Sequence, residues 1–490
     1  MDQQLKQLTI RPGATIRDAM AAIDRGALGI ALVVDDTGHL AGTITDGDAR
    51  RAILRGSRLD ESVSTIMTRQ PAVATTRMDM QAIRQLFVQS KLRHIPVVDD
   101  DGRLRTLLTS AQSLAVPLSN PDITDREIEA VLDVLRTPNL SLGPKVVEFE
   151  EKIAAYAERR YAIAVNSGTS GLHLVVRALG LGRGDEVVTT PFSFIASSNC
   201  LLFEGATPIF ADIRPDTFNI DPALVERAIT PRTKAILAVD VFGQPADYDA
   251  LEKIAARHGL AVISDCCESI GAEYRGAKAS RRGVAGVFGF YPNKQITTGE
   301  GGAIVTDDPE IARLCRSMRN QGRGEGGGWL SHERLGYNYR LPDICCALGI
   351  VQLDRVDEFL NRRDAVASAY MRKLAGEPRL IAPYLSPDTT RMSWFVFVVR
   401  LTDDCTRADR DRILQELRAH GVGANNYFQP IHLQPFYQAQ FGHRTGDFPV
   451  TEAIADRTIA LPFHNQLTPD EIDLVVSRLH EAIDATCIAG

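Results

Sequence analysis

The sequence predicts an α/β protein: a mostly parallel sheet, preceded by a duplicated hairpin module and followed by a smaller α/β subdomain. Three observations carry this reading. Between residues 161 and 306, short apolar runs alternate with segments of helical periodicity, the pattern of strands joined by helical crossovers. Two of those runs end in charged groups, Asp265 and Lys294, where buried strands come to the surface. Near the N-terminus, the pattern Val33-Val34-Asp35-Asp36-Thr37-Gly38-His39-Leu40 recurs as Val97-Val98-Asp99-Asp100-Asp101-Gly102-Arg103-Leu104.

A chain of 490 residues is too long for one ordinary domain and suggests roughly three. We place them at 1–115, 116–365 and 366–490. A net charge of -7 with scattered basic residues leaves no electrostatic footprint for nucleic acid. No apolar run reaches the ~20 residues of a membrane span, and the first residues lack an apolar signal core. The eight cysteines form no C-x-x-C pair, and two pairs are adjacent in sequence, a poor arrangement for disulfides or zinc. They are read as reduced thiols of a cytoplasmic protein.

Each copy of the N-terminal repeat reads as strand, D-x-G turn, strand. A helical pattern precedes each hairpin, marked by Ile16, Met20 and Ile23 in the first copy and by Met80, Ile83, Leu86 and Phe87 in the second. A further helix is expected over 48–55. One copy has too little core to stand alone, so the two should pack as a pair. Residues 8–115 resemble a tandem CBS domain, a regulatory module that binds adenine nucleotides between its halves. In that family the hairpin ends in Ser or Thr, followed three residues on by the Asp that holds the ribose. The first copy has Thr45 and Asp48, with Arg50 and Arg51 placed to meet phosphates; the second has Thr109 but Gln112. The resemblance therefore implies one intact nucleotide site. The alternative is a structural or dimerising module in which Asp48 only caps a helix.

The small, proline-marked stretch 110–121 separates this module from the rest. An amphipathic helix follows, with Ile128, Val131, Leu132 and Leu135 on one face, and another helix is expected over 146–157. The strand at 161–165 runs into Asn166-Ser167-Gly168-Thr169-Ser170-Gly171, a small-residue turn opening a helix, where free backbone N–H groups favour an anion. Thr169 and Ser170 are the phosphate candidates. His173 falls at helix spacing among apolar residues and is read as packed. Strands at 186–190, 207–213 and 233–240 follow. Of the aromatics after the first of them, Phe192 is read as core and Phe194 as the face for a flat ring.

An acid and a lysine at neighbouring strand ends suit pyridoxal phosphate (PLP): the lysine amine bonds the cofactor aldehyde, and the acid pairs with the pyridinium nitrogen. The alternative for this pair alone is a surface salt bridge. The glycine-rich stretch 321–329 is read as a mobile loop near the substrate rather than a dinucleotide fingerprint, because no strand precedes it. From Val356 a long helix leads to a C-terminal subdomain with a strand at 395–401 and helices at 407–420 and 469–485.

The phrases N-S-G-T-S-G-L-H-L, F-A-D-I-R-P-D-T-F-N-I-D-P, F-Y-P-N-K-Q-I-T-T-G-E-G-G and G-Y-N-Y-R-L-P-D resemble the DegT/DnrJ-type sugar aminotransferases, a branch of fold-type I PLP enzymes. The likeness runs from 116 to about 440. It implies a mostly parallel seven-stranded sheet and a homodimer. It implies that Lys294 carries PLP and moves the proton, with Asp265 on the ring nitrogen. It implies cofactor contacts from Thr169, Ser170, Phe194 and Glu268, and from Asn338 to the partner's cofactor, with His432 near the substrate. The implied reaction takes an amino group from an amino acid, glutamate in our reading, to a nucleotide-linked keto-sugar. Two positions depart from the family. Gly289 stands where many members have a phosphate-binding Ser, and Glu268 stands where relatives carry Gln or His. Lys294 argues against a related dehydratase branch that has His there. A non-sugar keto acceptor (a cyclitol or amino-aromatic precursor) and a nucleotide-sensing regulator with a retired catalytic domain remain as alternatives.

Overall fold

A computed structural model describes residues 3–78, 82–83, 86–87, 90, 92–109, 116–324 and 331–486. Met80, Gln112, Cys487 and most of the glycine-rich stretch therefore lie outside the described residues. The chain divides into two compact units, residues 1–115 and 116–490.

In the first unit the duplication is a duplication of structure. Two three-stranded sheets, Thr9–Ile10, Ile30–Val34 with Leu40–Thr45 and Ala74–Thr75, His94–Val98 with Leu104–Thr109, share one pattern of a parallel pair next to an antiparallel hairpin. Each hairpin turn is built by an aspartate. Asp35 accepts the N–H groups of Thr37 and His39, and Asp99 those of Asp101 and Arg103. The glycines that follow, Gly38 and Gly102, sit at φ +91° and +76°, where a side chain would be strained. The hairpins join through Leu40 N–H to the Gly102 carbonyl and Leu104 N–H to the Gly38 carbonyl. Leu104 packs with Leu8, Ile30 and Leu32, so the two copies share a core, as their small size requires. Ile83 and Phe87 are buried against Ile95 and Val97.

In the second unit seven strands form the main sheet: β1 (Tyr161–Val165), β2 (Glu186–Thr189), β3 (Thr207–Phe210), β4 (Thr233–Val239), β5 (Ala261–Asp265), β6 (Ala285–Gly289) and β7 (Gly302–Thr306). Their order is β1-β7-β6-β5-β4-β2-β3. β7 is antiparallel to both neighbours; the other pairings are parallel. Alternate residues face opposite sides. Ile163, Leu237, Ile263 and Val287 enter one apolar cluster, while Ala164, Ile236, Val262 and Phe288 enter those on the other face. Burial on both sides explains the continuous apolar runs that marked these strands in the sequence.

Two helices before the sheet, α1 (Asp125–Leu135) and α2 (Pro144–Ala157), lead to β1, and α3 (Gly168–Ala178) follows it. The apolar stripe of α1 lies where the sequence puts it but points outward: Ile128 is 48% and Leu135 51% exposed, whereas Glu127 is 1% exposed. A charged residue therefore holds the inner face. Helix α4 (Asp343–Asp354) is followed by α5 (Val356–Leu374), which buries Phe359 and Leu360 beside the main sheet and Tyr370 and Leu374 in the C-terminal core. The passage at 365/366 thus lies within one helix. The C-terminal subdomain is a three-stranded antiparallel sheet (Leu380–Ile381, Phe397–Leu401, Thr458–Leu461) covered by helices Arg407–Ala419 and Pro469–Thr486. No described helix is long and apolar enough to cross a membrane. Cys200, Cys266, Cys267, Cys315, Cys345 and Cys346 are free thiols.

Candidate active site

The carboxyl ends of β1, β2, β4, β5 and β6 and the start of β7 open on one edge of the sheet, which is where α/β sheets hold ligands. A cavity of ≈ 570 Å³ lies there. Asp265, the last residue of β5, faces it, held by the Ser197 hydroxyl (2.7 Å) and the Cys267 N–H (3.1 Å). Ser193 in turn contacts Ser197 (2.9 Å), so the acid is oriented by a short hydroxyl chain.

Lys294 lies in the tight turn after β6, and its Nζ sits 3.7 Å from the centre of the Phe395 ring and 3.4 Å from Glu268 Oε1. The fully buried Arg363 of α5 donates to the Lys294 carbonyl and to the carbonyls of Trp394 and Phe395. One guanidinium thus fixes the lysine backbone to the aromatic beneath its amine. Burial pushes the Glu268 carboxyl up, against the opposing pull of Lys294.

Beyond the end of β1, Ser167 caps α3, accepting the Ser170 N–H at 3.1 Å. Gly168 and Thr169 line the cavity. A Cβ at Gly168 would lie 2.6 Å from Cys267 Sγ, so glycine there lets the helix start approach β5 closely. Gly289 faces the same sulfur: a Cβ there would lie 3.4 Å from Cys267 Sγ, so Cys267 takes part of the room a serine side chain would need. Asn293 contributes a buried Oδ1 with no hydrogen-bond partner.

Of the residues singled out in the sequence, Lys294, Asp265, Glu268, Phe194 and Thr169 all line this cavity. Phe194 is 61% exposed and Phe192 fully buried. Three do not reach it. Ser170 is buried, its hydroxyl turned to that of Ser167 at 2.9 Å. Asn338 is exposed and touches Asn166 only through its backbone carbonyl. His432 is fully buried, bonded to Glu452 Oε1 at 3.0 Å and edge-on to Phe448, which makes it neither a surface residue nor a cavity wall. His173 is packed, between Glu204 (2.7 Å) and Tyr339 (3.2 Å). Sequence reasoning missed Ser197, Cys267, Asn293 and Tyr427. Ser197 and Tyr427 reach the cavity from separate segments, with nothing local to mark them. Cys267 and Asn293 stand close in sequence to Asp265 and Lys294, and that nearness was the signal that could have found them.

These residues fit PLP. The helix start offers N–H groups and hydroxyls to a phosphate, the acid and the amine face one space, and the unpartnered Asn293 oxygen awaits a donor. Such an arrangement at the carboxyl edge of a mostly parallel sheet defines a PLP-dependent aminotransferase of fold type I. The model of the DegT/DnrJ/EryC1/StrS aminotransferase family matches residues 121–480, and the chain belongs to that family. It is 36% identical to the spore coat polysaccharide biosynthesis protein SpsC of Bacillus subtilis, over 75% of this chain and 97% of that protein. To GDP-perosamine synthase of Caulobacter vibrioides it is 38% identical, over 75% and 98%. The solved structure of S. venezuelae DesV matches with a TM-score of 0.68 at 37% identity, covering 73% of this chain and 94% of that one. The CBS domain matches twice, at 5–55 and 63–108.

The CBS unit has its own cleft of ≈ 740 Å³, lined by Thr45, Asp48, Arg51, Arg93 and His94 among others. Thr45 caps the helix Asp46–Leu54 and forms a reciprocal box with Asp48 (2.9 and 3.2 Å), while Arg51 donates to Asp48 at 2.6 Å. Burial opposes ionisation of Asp48, but the bonds from Thr45 and Arg51 outweigh it and hold the carboxyl below its usual range.

Proposed function

We propose that this enzyme transfers an amino group from glutamate to a keto-sugar linked to a nucleotide. The observation that carries the reading is that Lys294 and Asp265 face one cavity with the start of α3. SpsC and GDP-perosamine synthase, named for polysaccharide and perosamine synthesis, support a sugar acceptor. PLP, when bound, supplies the electron-withdrawing ring that stabilises charge at the substrate carbon. Lys294 would hold the cofactor through Nζ, and its free amine would take the proton from the donor α-carbon and return it, as base and then acid. Asp265 holds the proton on the ring nitrogen. Thr169 and the N–H groups opening α3 hold the phosphate, and Phe194 covers the ring. The outward stripe of Ile128, Leu132 and Leu135 supports a homodimer in which Asn338 serves the partner's site.

The test is the visible spectrum of the PLP-loaded protein. Excess glutamate should bleach the yellow band, and a nucleotide-linked keto-sugar should restore it. Bleaching without recovery by any such sugar, but with recovery by a cyclitol ketone, would reject the sugar acceptor.

A second reading concerns regulation. The CBS cleft joins Thr45 and Asp48 to the cations Arg51 and Arg93, a set suited to a ribose hydroxyl pair and phosphates. We therefore assign it to an adenine nucleotide that modulates transfer. ATP, ADP or AMP should raise the melting temperature of the full chain, and Asp48→Ala should remove the rise while leaving the uninhibited or unstimulated rate unchanged. No shift with any of the three would reject this assignment.

A further inference from the structure

We propose that Glu268 is the proton partner of Lys294: its carboxylate orients the lysine amine and exchanges a proton with it when the amine is free of the cofactor. The inference rests on the PLP reading of the cavity and goes beyond it by assigning a second group to the proton-handling step.

The geometry supports it from both ends. Glu268 follows β5 by three residues, and its side chain is 7% exposed; that of Lys294 is 14% exposed. Oε1 lies 3.4 Å from Nζ, while Oε2 accepts the Phe242 N–H at 2.9 Å. The Phe242 donor comes from a turn that cannot easily shift. Phe242 is at φ +59°, and a Cβ on the next residue, Gly243, would lie 1.7 Å from the Ser393 carbonyl oxygen. The Glu268 backbone is held as well, its carbonyl accepting Gln295 Nε2 at 2.6 Å. The carboxylate is thus fixed by a backbone donor on one oxygen and presents the other to the amine.

A buried carboxylate beside a buried ammonium has an easy alternative state. Moving one proton from Nζ to Oε1 converts ammonium and carboxylate into amine and carboxylic acid, with no change in the net charge of the cavity. The amine is then free to take the proton from carbon. Burial raises the proton affinity of Glu268, which brings the two states closer. The other titratable groups around Glu268 are Asp265, Cys267 and the Tyr427 hydroxyl, all of which line the same cavity. None stands between Oε1 and Nζ, which are in direct contact. An amide or imidazole at this position would orient the amine without holding a negative charge beside it.

Glu268→Gln keeps the shape and the acceptor for Phe242 N–H but removes the charge. In the PLP-loaded protein, the pH at which the yellow band changes reports the proton on Lys294 Nζ. Loss of the nearby negative charge should lower that pH by about 1–2 units and slow bleaching by glutamate by about 10²-fold. The apoprotein provides a second measurement: in urea unfolding, E268Q, K294M and the double variant should be non-additive, since the two groups are in contact. Additive unfolding, or a colour change at the wild-type pH with a wild-type bleaching rate, overturns the proposal and leaves the aminotransferase reading intact. A wild-type protein that takes up no PLP overturns the reading of the cavity and the proposal with it.

Discussion

Replacing Lys294 by Ala is expected to lower amino transfer by at least ~10⁴-fold, since the residue both attaches the cofactor and carries the proton. PLP should still bind, because the start of α3, Asp265 and the aromatic walls remain, but the yellow band of the attached cofactor should be absent. The structure makes this substitution clean. Lys294 Nζ touches Phe395 and Glu268 and no other polar group among the described residues, while its backbone is held independently by Arg363. Stability should therefore fall through Glu268, which loses its cationic neighbour, and through the lost contact with the Phe395 ring. Rapid-quench measurement of the glutamate half-reaction, with the melting temperature beside it, checks both statements; turnover near wild type would reject Lys294 as the attaching group.

Arg355→Met is expected to destabilise the second unit by about 3–5 kcal/mol, the cost of removing one partner from a buried charge network. Arg355 is 8% exposed and donates to Glu127 at 2.8 Å and to Asp122 at 3.1 Å, both of them buried. Gln352 donates to the same Glu127 at 3.0 Å, and its oxygen accepts the Thr297 N–H at 3.3 Å, three residues beyond Lys294. The network therefore connects α1 to the lysine turn, and the variant should also weaken PLP retention. Acid sensitivity follows from the same group. Burial works to raise the Glu127 carboxyl, but bonds from Thr124 and Arg355 more than offset it and bring it from 4.5 down to about 2. A depressed carboxyl stabilises the fold above its ordinary value, and that contribution is lost as pH falls from about 4.5 toward 2. Urea midpoints against pH should show this loss in the wild type and less of it in Arg355→Met, where Glu127 keeps the bonds from Thr124 but has lost its cationic partner.

The CBS hairpins were legible because their aspartates and glycines build the turns locally: Asp35 and Asp99 accept N–H groups two and four residues on. Asp265 and Lys294 could be singled out for a similar reason. A strand buried on both faces reads as an apolar run, and a charged residue at its end is conspicuous. The fold class, the family and the cofactor were all readable from such signals. Helix α1 shows where periodicity stops being informative. Its apolar stripe was plain in the sequence, yet which face turns inward depends on Arg355, more than two hundred residues away, which draws Glu127 into the interior.

The sequence by itself determined what can be written in runs and turns: strand ends, helix starts, the duplication, and the residue types needed to hold PLP. Only the tertiary structure decided which of those residues meet. It brought Glu268 to Lys294 and Ser197 to Asp265, turned Ser170 toward Ser167, and enclosed His432 with Glu452. The physical reason is that backbone pattern propagates along the chain, whereas hydrogen bonds and ion pairs depend on distances of a few ångströms between segments that the chain alone does not order.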